Sequence, residues 1–123
     1  MTRLFESEKS QTIWIVIDSG RLMRTEVEGV SKLDRAANAA LSLAEVALLS
    51  GDRVGLLTYG RRITHRLPAA RGRSHLRRVI GRLAIVQSEE LEADHLQAAG
   101  RLLSDQKRRS LVVWITDMAD TAM

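Results

Sequence analysis

The sequence predicts an α/β domain with a mostly parallel sheet and one antiparallel edge strand, and three features carry that prediction. Two short apolar runs without alternation, TIWIVI (12–17) and LVVWI (111–115), read as strands buried on both faces, as in a parallel sheet. Residues 31–50 repeat apolar side chains at three- and four-residue spacing, the period of a helix with one buried face. Two further stretches, 53–59 and 62–67, are separated only by Gly60 and Arg61, which is hairpin spacing and sets the second antiparallel to the first.

Taken in order, residues 1–11 read as a flexible lead-in. The first strand ends in Asp18-Ser19-Gly20, a turn signal. Ser31 is placed to cap the long helix, with Asp34 three residues on, and Gly51 to stop it. The many alanines of that helix predict close approach to another layer. RVGLLTY (53–59) is the second strand. RITHRL (62–67) alternates apolar and polar, so it is half exposed, and Pro68 is expected to end it. Ser74 is a candidate cap for a second helix carrying Leu76, Val79, Ile80 and Leu83 on one face and arginines on the other. A third helix is expected from about Asp94 to Gln106. Right-handed crossovers then give the strand order 3-2-1-4, with helices on both faces. The 111–115 strand falls at an edge with nothing following to cover it. It therefore reads as a strand that expects a further neighbour in a longer, C-terminally truncated domain, or one that self-associates. Trp14 and Trp114 read as core fillers, and the three histidines as surface residues.

The 123 residues suit one small domain, and 45% hydrophobic with 28% charged residues supports a real core. With no cysteine, disulfides and thiolate metal sites are excluded. No apolar run approaches the ~20 residues of a membrane span, and the polar start is no signal peptide. The net charge of +4 is unevenly placed: nine arginines and no acid lie between Arg53 and Ser88.

Two candidate site residues follow from the topology. Asp18 and Asp117 each come directly after a buried strand, at the carboxyl edge where open α/β sheets place ligands. Two carboxylates there are suited to a hard cation such as Mg²⁺ completed by waters. A turn-capping role for each aspartate is the competing reading.

The stretches IVIDSGRLM (15–23), SKLDRAANAALSLAEVALLSGDRVGLLTYG (31–60), RGRSHLRRVIGRLA (71–84) and RRSLVVWITDMAD (108–120) resemble the von Willebrand factor A-like domains, specifically the bacterial family named domain of unknown function 58. The resemblance implies a Rossmann-like von Willebrand A-type sheet and one partial domain over 1–123. It also implies a metal-ion-dependent adhesion site with Asp18 and Asp117 as its first and last ligands. The motif's two serines fall on Gly20 and Leu22, and its threonine near Ala93, so only Asp94 next door could add an oxygen. The site is therefore expected to be degenerate, with weak Mg²⁺ at most, and a salt link from Arg21 to one of the aspartates is the metal-free substitute. Family members accompany MoxR-type AAA+ ATPases. That implies a non-enzymatic adaptor on the cytoplasmic side, whose parent could be membrane-anchored, with Arg21 and Asp94 near the contact.

Other classes weigh less. Arg61, Arg62, Arg73 and Arg77, within the 61–82 stretch, suit an acidic protein partner or, alternatively, nucleic-acid phosphates. The only aromatic there, Tyr59, sits in a strand expected to be buried, which disfavours base stacking. No phosphate loop, nucleophile elbow or His pair with metal-ligand spacing is present.

Overall fold

The computed structural model describes residues 11–105 and 109–117. The four predicted strands are β1 (Thr12–Asp18), β4 (Arg53–Tyr59), β5 (Ile63–Ala70) and β6 (Leu111–Ile115). They form one sheet in the order β5-β4-β1-β6, the predicted 3-2-1-4. β1 pairs in parallel with both β4 and β6, and β5 is antiparallel to β4.

Helices cover both faces, and their small and branched residues explain how. On one side, α1 (Lys32–Leu49) lays Leu33, Ala36, Ala40, Ala44, Ala47 and Leu48 on Ile13, Ile15 and Ile17 of β1, joined by Val79 and Leu83 of α2 (Arg73–Ala84). The alanines let α1 approach the sheet closely, and contact at that distance is where dispersion accumulates. On the other side, α3 (His95–Asp105) places Ala98 and Leu102 on Trp14, Val16, Leu57 and Tyr59. Trp14 lies flat against Gly55: a Cβ there would come within 2.7 Å of the indole. Trp114 packs in the same layer but pairs opposite Val16, two residues out of step with Trp14.

Ser31 caps α1 as expected, its hydroxyl accepting from Asp34 N at 3.0 Å. Three local expectations are corrected, and one short element is added. Pro68 does not end β5, which runs on to Ala70; an edge strand tolerates proline because the missing N–H would face solvent. Ser74 is not the cap of α2; Gly72 holds that position at φ 100° without a side-chain bond, a conformation glycine enters freely. A small hairpin, β2 (Glu26–Val27) and β3 (Val30–Ser31), turns through Glu28 and Gly29 at positive φ; its four paired residues bury too little to show a pattern. Gln11, the one described residue of the expected lead-in, is anchored to Asp52 Oδ1 and by the N–H of Arg53. The rest of the lead-in and the expected helix end at Gln106 lie outside the described residues.

Candidate functional site

The register of β1 and β6 brings the two aspartates to one crevice. Ile17 pairs with Ile115, so Asp18 lies beside Thr116 and Asp117 one residue beyond. Both stand at the carboxyl edge of the sheet, whose faces are covered on opposite sides by α1 and α3. Asp18, Gly20, Arg21, Leu22, Glu92, Ala93, His95 and Asp117 line the crevice.

Asp18 is 2% exposed, yet its carboxylate is satisfied locally. Gly20 N–H donates to Oδ1 at 2.7 Å and the Thr116 hydroxyl to Oδ2 at 2.6 Å. This is what a buried carboxylate requires, since an unpaired one would ionise at great cost. Asp117 is answered differently. Its Oδ2 lies 2.5 Å from the ammonium of Lys32, the first residue of α1.

The loop before α3 closes the crevice from above. Glu89 N donates to Ser19 O at 2.8 Å, Arg21 N to Leu91 O at 3.0 Å and Asp94 N to Gly60 O at 2.9 Å. A Cβ at Gly20 would sit 2.7 Å from Ala93 N and 2.8 Å from Ala93 Cβ. A serine at position 20 therefore has no room, and Leu22 offers no oxygen. The residues present do not fit the magnesium site that the resemblance implies. Among the described residues, no three His, Asp or Glu side chains gather as a metal site.

Two expectations for this region are corrected. Arg21 does not reach either aspartate; its guanidinium pairs with Glu92 at 2.8 Å on the surface, because the acidic loop offers a nearer, solvated partner. Asp94 is engaged as a helix cap: its Oδ1 accepts from Gln97 N at 3.0 Å ahead of α3, the usual role for an Asp three residues ahead of a helical N–H.

Beside the crevice stands a polar cluster absent from the sequence reading. Tyr59 is fully buried. Its hydroxyl accepts from Trp114 Nε1 at 2.8 Å and hydrogen-bonds His95 Nδ1 at 2.7 Å. Both rings meet Tyr59 edge-on. Burial, reinforced by the Asp18 charge and opposed by bonds to Trp114 and Thr116, pushes the phenol up to about 12. His95, Leu96, Ala99, Trp114 and Thr116 then form an apolar groove running from the crevice along β6.

The histidines are not all surface residues. His75 is 1% exposed, and its Nε2–H donates to Val54 O at 2.6 Å. The arginines do not make one face. Arg62 lines a groove with Arg101 of α3, whereas Arg73, Arg77 and Arg78 lie exposed on α2, across the sheet. Arg61 is exposed at the hairpin tip, its N–H bonded to Glu89 Oε1 at 2.8 Å.

An open, mostly parallel α/β sheet with a polar crevice at its carboxyl edge defines the class of domain. The family model described as "Protein of unknown function DUF58" matches residues 1–123, and the chain belongs to that family. No curated protein matches the chain. Among solved structures it is similar to an uncharacterized membrane spanning protein from Vibrio fischeri, at 17% identity and a TM-score of 0.55, over 82% of this chain and 53% of that one. That likeness shows a shared fold, and the chain spans about half the length of its neighbour. Among the described residues, no helix is long and apolar enough to cross a membrane.

Proposed function

We propose that this domain is a non-catalytic docking module of von Willebrand A type, with a degenerate adhesion site at Asp18 and Asp117. On this reading it works beside a MoxR-type AAA+ ATPase on the cytoplasmic side of a membrane. The observation that carries it is the apolar groove of His95, Leu96, Ala99, Trp114 and Thr116 beside the crevice. Among the described residues, β6 pairs only with β1. Leu96, in that groove, is 83% exposed; Leu103, two turns on along α3, is 71% exposed, and Leu111, at the far end of β6 from the crevice, 52%. Apolar surface gathered beside a polar crevice is the makeup of a protein contact, with an apolar centre and a polar rim. The non-catalytic part rests on how the reactive groups are used: Ser19 Oγ donates to Tyr59 O, and His95 Nδ1 is engaged by the Tyr59 hydroxyl. The ATPase follows from the resemblance.

Calorimetric titration of the domain against the purified ATPase encoded beside its parent gene tests the reading. Binding is expected, with at least about tenfold loss in Leu96→Glu/Leu103→Glu, because each charge would need burial on contact. Absent binding, or affinity indifferent to the pair, contradicts it.

A second reading rests on the open edge of β6: two copies joined through the 111–115 strand. Sedimentation equilibrium across concentration should show a dimer that Val113→Lys dissociates. A concentration-independent monomer removes this reading.

A further inference from the structure

We infer that Lys32 is the resident cation beside the crevice: reaching Asp117 from the α1 side, its ammonium takes the electrostatic role that a divalent ion holds in an adhesion site, and the crevice works without a metal. This deepens the docking reading, since it says how the same crevice is charged when it meets a partner. Its test uses no partner, so the two fail separately.

Three observations carry it. The first is placement. Lys32 Nζ lies 2.5 Å from Asp117 Oδ2, each side chain being 34% exposed. A half-buried pair is screened somewhat less than a fully exposed one. The ammonium is also delivered from a fixed point. Lys32 N donates to Thr25 O at 2.8 Å, and Ser31, the residue before it, is held by the cap bond to Asp34 N.

The second is that this position is unfavourable for a lysine on local grounds. The start of a helix carries the positive end of its macrodipole, which favours anions and disfavours cations. Asp34 in the first turn follows that rule and Lys32 breaks it. A cation there is explained by the carboxylate in front of it.

The third is the fate of the metal's own shell. Both oxygens of Asp18 accept protein donors. The space for a ligating side chain at position 20 is filled by Ala93, held there by the backbone bonds of the 89–94 loop. Two adjacent carboxylates still need a counter-charge. Lys32 supplies one, and a single ammonium needs no octahedral oxygen shell.

The experiment titrates this chain with Mn²⁺, following free ion by its electron paramagnetic resonance signal. Wild type should leave the signal unchanged. Lys32→Met removes the charge but keeps the stem. Lys32→Gln also keeps a donor toward Asp117, so it serves should the methionine variant fold poorly. Either should lower the free-ion signal at Mn²⁺ concentrations where wild type does not, through Asp117 and water, as loss of a neighbouring positive charge allows. Adding Asp117→Asn should abolish that loss of signal, and Lys32→Arg should behave as wild type. Wild-type Mn²⁺ binding that Asp117→Asn removes would overturn the inference. So would neutral variants, folded by circular dichroism, that take up no more Mn²⁺ than wild type.

Discussion

β5 and β6 bound the same sheet, and they differ in almost every respect that governs pairing. β5 is antiparallel and its register with β4 shifts twice, between Val54 and Leu56 and between Thr58 and Tyr59. It carries Arg66 and the exposed Pro68, and exposed Arg61 and Arg62 lie at its start. Bulges, proline and cations are the means by which natural sheets keep an edge from pairing. β6 has none of them. It is parallel and regular from Leu111 to Ile115, with five apolar residues and no charge. The difference teaches that β5 carries the features that end a sheet, whereas β6 has the makeup of an interior strand, suited to a further neighbour on its open side, and the crevice opens at its tip.

Four substitutions or titrations sharpen this contrast. The largest effect is expected on the β6 side. Trp114→Ala removes the ring that packs under α3 and the donor to Tyr59, and should lower stability by about 3 kcal/mol in urea unfolding. A loss near zero would mean that β6 is poorly held to the body of the fold.

Next comes the phenol behind it. Tyr59 is the chain's single tyrosine, so phenolate absorbance reports it alone. The folded chain should titrate near 12, against 10.0 for an ordinary tyrosine. Because the folded value lies above the unfolded one, the stabilisation is whole below pH 10. It drains away as pH rises from about 10 to about 12, by roughly 2 kcal/mol. Tyr59→Phe should flatten that slope. Titration near 10 in the folded state would show the hydroxyl open to water.

The matching change on the β5 edge is smaller. Thr64→Ala deletes a hydroxyl bonded to Thr58 Oγ1 at 2.6 Å and to Thr58 O at 3.1 Å, worth about 1 kcal/mol by thermal unfolding. Smallest of all, Arg73→Ser/Arg77→Ser on the exposed face of α2 should alter stability by less than about 0.5 kcal/mol. The wild type should show little retention of random duplex DNA at physiological salt, because its arginines are split between two faces. Tight, steeply salt-dependent binding lost in that double variant would restore the nucleic-acid alternative.

The main architecture was legible because burial writes itself into the sequence. Continuous apolar runs gave β1 and β6, helical spacing with Ser31 gave α1, and a two-residue gap gave the β4–β5 hairpin. The convergence of Asp18 and Asp117 followed from topology alone. What filled the space between them did not. Lys32 lies 85 positions from Asp117, and no local pattern joins the two. The lysine was nonetheless out of place for a helix start, and that was a readable signal. Asp94 was read through the family's motif, although its position just ahead of a helix already said cap. His75 looked like a surface residue among arginines. Its spacing of four from Val79 put it on the buried face of α2, where Val54 O receives its proton.

The central claim is that contact is made at the crevice and the β6 side, and hydrogen exchange of the domain with and without the neighbouring ATPase tests it most directly. The account predicts slowed exchange at residues 19–22, 92–96 and 111–117, with the β5 edge and the outer face of α2 unchanged. Protection confined to residues 61–78, leaving the crevice and β6 as they are in the free domain, would contradict it.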